Sequence, residues 1–261
     1  MRTIRKNLGG NHNLDVAQKN NGVPTNKEEA TRAWHNFNDT DDLLCQKLLI
    51  EQYGLCCYTE LNLADLSLHH NISAHFEHEQ PKNLYPDKTF DEGNLLRCAL
   101  DSDDLQSYSG NQRFGGHFKD NNPDLSYDPN IFISPQSANC RDYFSYLTFD
   151  GSIIPKAGLS QDKHNKAQYT IDILNLNAPF LKAERERWLK EIEEILDELV
   201  DTNAIDAIAN LAECELTLTL RCHYDINKAP FPQLQAFHSA TRSLFGAMGE
   251  QIIQQHCPQI D

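Results

Sequence analysis

The stretch HFEHEQPKN, residues 75–83, places His75, Glu77 and His78 within four positions and then turns at Pro81. Of the chain's 11 histidines, His69, His70, His75 and His78 crowd into one short segment. A carboxylate beside imidazoles suits metal-assisted phosphodiester hydrolysis. The carboxylate oxygen is a hard ligand for Mg²⁺, which takes one or two protein carboxylates and keeps positions for water and phosphate. An adjacent imidazole titrates near neutrality and can accept a proton from an attacking water, while the cation stabilises charge on the phosphate and the leaving oxygen. A polar loop with unrelated histidines would show the same density, so the spacing has to decide. Read as a strand, residues 72–78 put Ile72, Ala74 and Phe76 on one face and His75 and Glu77 on the other, with His78 at the end. Pro81 then stops the ladder.

The elements that must hold these groups come from the rest of the chain. With 261 residues and 39% hydrophobic composition, it can bury one large core or two small ones. No apolar run is long enough to cross a bilayer, and the charged start MRTIRKNLGG has no apolar segment of the signal-peptide kind. The eight cysteines at irregular spacing read as reduced thiols, and the expected location is cytoplasmic. A formal charge of -15 argues against binding nucleic acid unaided, although a basic partner can supply the field. The dense basic cluster is Arg2, Arg5 and Lys6.

Residues 1–25, rich in Asn and Gly from residue 7, are expected to form a flexible arm. Leading helices follow in 26–54, the second capped at Thr40 or Asp41 and stopped by Gly54. Residues 55–122 hold most of the histidines with little apolar rhythm, the pattern of a segment held by something besides a large core. In 123–158, YFSYLTFDGSIIP alternates on both sides of Asp150-Gly151, a hairpin signal. Residues 159–261 read as helical: Ser160 caps a helix ending near Asn175, residues 180–200 carry apolar residues at helical spacing, and further helices are expected over 204–223 and 231–256. The fold class is therefore mainly α with a small β-containing insert and a β-hairpin, an α+β protein.

The segments YGLCCYTE (53–60), HFEHEQPKNLYPDKTFDEGNLLRC (75–98) and GGHFKD (115–120) resemble the HNH endonuclease core. They are most similar to the PtuB family, nuclease subunits of Septu antiphage systems and of some retron systems. The likeness continues through ISPQSANCRDYFSYLTFDGSIIP (133–155) and AQYTIDILNLNAPFLKAERERW (167–188), covering roughly residues 40–190. The resemblance implies a ββα-metal insert at 55–122, with Glu77 as metal ligand, His78 as general base and Asn94 bracing the loop behind the base. His117 falls at a second metal-ligand position. His75 joins the catalytic set as a contact to metal or phosphate, and Lys82 and Lys119 are phosphate-contact candidates, two solvated lysines being the equal alternative. The implied cofactor is Mg²⁺ or Mn²⁺.

One departure concerns zinc. Relatives show C-x-x-C where this chain has Cys56-Cys57-Tyr58-Thr59, and C-G-H where it has Gly115-Gly116-His117. A structural zinc site wants four N or S ligands, so with Cys56 and Cys98 remaining no structural Zn²⁺ is expected. The insert should then rest on apolar contacts such as Leu55, Tyr58, Leu84, Phe90 and Leu95. The resemblance implies a PtuA-like ATPase partner, a nucleic acid substrate, and in retron systems a reverse transcriptase with its msDNA. No membrane is implied. DNA hydrolysis is the first reading. A ribonuclease acting on host RNA such as tRNA uses the same chemistry, and a non-catalytic adaptor is the third reading. The Glu77, His78 and Asn94 set weighs against an adaptor, because nothing structural requires it once the zinc ligands are gone.

Overall fold

The computed structural model describes residues 1–108, 110–122, 124–222 and 229–260. Helix α1 (His12–Asn21) starts at Asn11, whose side-chain oxygen accepts from the amides of Asn13 and Leu14, satisfying donors that a helix start leaves orphaned. It buries Leu14 and Ala17, so part of the expected flexible arm is a docked helix. Its apolar face is only two residues wide, too narrow to register as periodicity among Asn, Gln and Lys. Helix α2 (Lys27–His35) is capped by Asn26, and α3 (Leu43–Glu51) buries Leu44, Leu48 and Leu49 completely. Helix α4 (Leu63–His70), capped by Asn62, lies where the sequence shows little rhythm.

Strands β1 (Ala74–His78) and β2 (Leu95–Ala99) pair antiparallel, with Phe76 opposite Arg97 and His78 opposite Leu95. The short helix α5 (Gly115–Asp120) follows and packs on β2. Strands β3 (Phe144–Tyr146) and β4 (Ile153–Pro155) form the hairpin around Asp150-Gly151. Helices α6 (Gln161–Ile173) and α7 (Pro179–Asp201) come next, the second opening on a proline suited to a first turn. The hairpin tip docks on α7. Gly151 has φ +67, a Cβ there would meet the Lys182 carbonyl at 2.1 Å, and the buried Arg185 bonds the Gly151 carbonyl. Only glycine fits that turn.

The C-terminal part is less helical than its sequence suggests. Helix α8 (Ile205–Leu216) gives way to β5 (Thr219–Arg221), which pairs with β6 (Phe231–Gln233) before α9 (His238–His256). The Thr-Leu alternation at 217–220 has strand period, and Pro230 and Pro232 cannot donate helical hydrogen bonds. His223, the end of the expected helix, lies outside the described residues.

An isolated two-stranded pair is marginal in water, so β1–β2 depends on helices. Residues Leu95–Ala99 are all buried. The Gln52 amide at the end of α3 acts as an extra strand edge: it donates to the carbonyls of Leu55 and Arg97 at 2.7 and 2.8 Å and accepts from the Arg97 amide at 2.7 Å. Leu55, Tyr58, Phe90 and Leu95 are buried as expected, but Leu84 is 53% exposed and contributes no core. Among the described residues no helix is long and apolar enough to cross a membrane.

Candidate active site

Alternation along β1 sends its side chains to two neighbours. His75 and Glu77 face α5: the His75 ring lies 4.5 Å from that of His117, and Glu77 pairs with Lys119. Phe76 and His78 face α2, where Trp34 meets His78 edge-on at 4.4 Å between ring centroids and Phe76 at 6.0 Å. Both sets line a cleft of about 420 Å³, whose walls include Trp34, Lys82, Arg97, Asp101, His117 and Asp120. His69 and His70 stand apart at the end of α4, His70 against Phe180 and Glu184.

His78 is 4% exposed, and its Nε2 lies 2.9 Å from the Thr89 carbonyl. A carbonyl only accepts, so Nε2 carries the hydrogen and Nδ1 is left unprotonated. Burial, then the Lys82 ammonium, pushes the His78 pKa down to about 3. The imidazole is therefore neutral at physiological pH, the form able to accept a proton.

Asn94 ties together the loop between the strands. Its Oδ1 accepts from the Gln80 amide at 2.7 Å, its Nδ2 donates to the carbonyls of Gln80 and Lys88 at 3.0 and 3.2 Å, and its own carbonyl accepts from the Glu79 amide at 3.0 Å. Lys88 adjoins Thr89, so the carbonyl that orients His78 belongs to the braced loop.

Glu77 is buried and densely bonded. Its Oε1 accepts from the Tyr58 hydroxyl at 3.0 Å and pairs with Lys119 Nζ at 3.0 Å, while Oε2 lies 3.4 Å from His75 Nε2. Burial alone would raise this carboxyl, but Lys119 and His75 outweigh it and hold it well below the carboxylate range. The carboxylate also lies close on the backbone of Gly116, where a Cβ would come within 2.0 Å of Oε2. Lys119 does not reach the cleft as a phosphate contact. Its side chain is fully buried, and Nζ is held by the carbonyls of His78 and Glu79 at 2.9 and 3.0 Å and by Glu77 and Asp120. A buried, unpaired carboxylate would be costly, and this ammonium neutralises it. Spacing alone could not distinguish a lysine pointing out from one pointing in. Lys82, half-buried, does line the cleft.

His75 Nδ1 is buried without a hydrogen-bond partner among the described residues. Such an orphan in a native interior calls for an explanation, an ion among them. Glu77 Oε2 lies on the other His75 nitrogen and the His117 ring alongside, so two imidazoles and one carboxylate neighbour one another here, without their ligand atoms being drawn together as tightly as the thiol group described below. Burial, then His75, pushes the His117 pKa down to about 4, so it too is neutral and able to ligate. By donor chemistry, two imidazoles and a carboxylate suit a divalent cation of the Mn²⁺ or Zn²⁺ kind more than Mg²⁺, which prefers oxygen.

Behind the cleft three thiols converge, one more than the sequence comparison counts. Cys56, Cys57 and Cys98 are buried with sulfurs within 4.8 Å of one another, the tightest group of its kind among the described residues. The two positions where the resemblance implies cysteine hold Thr59 and Gly115, and a Cβ on Gly115 would sit 2.9 Å from Cys98 Sγ. No fourth His, Cys, Asp or Glu joins the trio among the described residues, so the donor set does not make a closed tetrahedral site.

Sequence reasoning overlooked Trp34 and Arg97, and took Tyr58 for apolar packing. Trp34 sits on another helix and is brought in by tertiary contact alone. Arg97 shows in sequence only as a charge in a buried strand, with its guanidinium 4.9 Å over the Phe76 ring.

No family model matches the chain. It is 28% identical over 162 residues to a protein of Vibrio cholerae serotype O1 biovar El Tor named "Retron Vc95 putative HNH endonuclease", a match that covers 62% of this chain and 71% of that protein.

Proposed function

We propose that the chain is a metal-dependent HNH nuclease, the hydrolytic subunit of an antiphage defence complex of the PtuB kind, with β1, β2 and α5 as its ββα-metal unit. The observation that carries this reading is His78: a buried, neutral imidazole whose tautomer is set by the Thr89 carbonyl, at a cleft shared with a carboxylate and two further histidines. The likeness to a retron-named nuclease supports the same class.

In this reading His78 Nδ1 takes the proton from the attacking water as its oxygen bonds to phosphorus, while the bond from phosphorus to the sugar oxygen opposite breaks and that oxygen leaves to be protonated by solvent. Glu77, His75 and His117 would hold the cation, which when bound would supply charge stabilisation at the phosphate and the leaving oxygen. Lys119 keeps Glu77 ionised and fixed against Gly116, and Asn94 keeps the Thr89 loop in place so that the base does not rotate. Lys82 and Arg97 are the cations at the cleft wall that a scissile phosphate would meet. The acidic chain, at net charge -15, takes its nucleic acid with the help of a more basic subunit, for which a PtuA-like ATPase is the candidate, in a retron setting alongside a reverse transcriptase and its msDNA. DNA is the proposed substrate. The three-thiol cluster is a packed apolar element, and the insert folds without structural Zn²⁺.

The test is cleavage of DNA and RNA by the purified chain, alone and with its partner, in Mg²⁺ or Mn²⁺. His78→Ala and His78→Gln should both abolish cutting while circular dichroism and partner binding hold. Full activity in either folded variant removes the mechanism. Elemental analysis of the purified His117→Ala protein, in which the histidine donors at the cleft are broken up, should find less than stoichiometric zinc; one tightly held zinc per chain in that variant would overturn the thiol reading.

A further inference from the structure

Away from the cleft, a second cavity of about 370 Å³ lies between the β3–β4 hairpin and α9. Its cations are Arg141, Lys156 and Arg242, and its carboxylates are Asp142 and Glu250, with Ser239 and Ser243 supplying hydroxyls. Arg242 is buried and grips Glu250 through two bonds, Nε to Oε1 at 2.7 Å and Nη2 to Oε2 at 2.5 Å, while Arg141 Nη1 lies 3.4 Å from Oε2. Two arginines closing on one anion is the arrangement that recognises carboxylate and phosphate alike.

The grip does not follow from helix geometry. Residues eight apart lie about 12 Å apart along an unbroken helix, beyond a direct two-bond contact. Here α9 breaks at Gly246, with φ +54 and ψ -129, and this lets Glu250 reach back to Arg242. A Cβ on Gly246 would meet nothing within 4 Å, so the glycine is needed for its backbone angle and not for space. The Glu250 side chain is half exposed, and the hydrogen bonds from Arg242 hold its carboxyl below the usual range. Lys156, just beyond β4, lines the same cavity.

We propose that this cavity is a binding site for a phosphate monoester or pyrophosphate group, with Glu250 as an internal anion that the ligand displaces. A phosphate carries more charge and more acceptor oxygens than a carboxylate, so it would engage Lys156 and the serine hydroxyls as well as the two arginines. The phosphate could come from a free nucleotide or from the end of a nucleic acid strand. The proposal does not depend on the nuclease reading.

Calorimetric titration of the full chain with pyrophosphate, in metal-free buffer at fixed ionic strength, tests it. Glu250→Gln removes the competing charge and should bind at least about tenfold tighter than the wild type. Lys156→Met, on an exposed side chain, and Arg141→Gln, on a half-buried one, should weaken binding at least about tenfold in the Glu250→Gln background. Absence of saturable binding in the Glu250→Gln variant, or binding indifferent to Lys156 and Arg141, overturns the proposal. Competition then identifies the source: displacement by ATP marks a nucleotide, and displacement by a 5′-phosphorylated but not an unphosphorylated oligonucleotide marks a strand end. If none of these competes, the proposal fails as well.

Discussion

At the scale of single residues, Asn94 is the most informative position outside the reacting groups. Three side-chain hydrogen bonds join it to Gln80 and Lys88, and truncation strands a backbone donor and two acceptors. Each bond contributes about 1 kcal/mol net, with a further cost for groups left unpaired. Asn94→Ala should therefore lose about 2–3 kcal/mol in urea unfolding. It should also cut more slowly by on the order of 10²-fold, the scale associated with misplacing a catalytic group by about 1 Å. A variant that loses stability but keeps its rate would show that the loop does not set the His78 geometry.

At the scale of elements, the N-terminal helices pack onto the proposed active site. Helices α1 and α2 pack with α3 through Leu14, Ala17, Ala33, Leu44 and Leu48, and Trp34 and Phe37 extend that cluster to Phe76 at the site. Trp34 stacks on Phe37 at 4.8 Å and meets His78 edge-on. Trp34→Ala should destabilise the protein by about 3 kcal/mol, the usual size for truncating a packed tryptophan, and lower kcat with little change in KM. Trp34→Phe should recover most of both, since it keeps an aromatic edge. Equal kcat in Trp34→Ala and wild type at a temperature where both are folded would reduce the helix to a stability element.

At the scale of the whole molecule, buried neutral histidines should make the fold sensitive to acid. His238, capped into the core by the Leu216 carbonyl, has its pKa pushed down to about 4, chiefly by burial and against the opposing pull of Glu60. An unfolded histidine takes up its proton near pH 6.5. Between these values the unfolded state binds more protons, so stability falls as pH falls from about 6.5 to 4 and is unaffected above that window. The shift corresponds to about 3 kcal/mol from this residue. Urea unfolding across that range should show the slope, and His238→Gln, which keeps a donor for the Leu216 carbonyl, should flatten it. An unchanged slope would place the acid sensitivity elsewhere.

The sequence alone was enough to single out the adjacent pair Glu77 and His78, the hairpin at Asp150-Gly151 and most helices, because each is written in local spacing: strand alternation, turn chemistry, helical period; Asn94 stood out only through the resemblance to the HNH core. The sequence did not carry the direction of Lys119, the third thiol at Cys57, the docking of α1 or the arrival of Trp34 beside His78. Those depend on which surfaces meet. Burial turned Lys119 from a phosphate candidate into the counter-ion of Glu77, since a carboxylate withdrawn from water needs a cation within bonding distance. The two sides of β1 became one cleft only because α2 and α5 closed on it from opposite faces, an arrangement between elements that no periodicity within one element records.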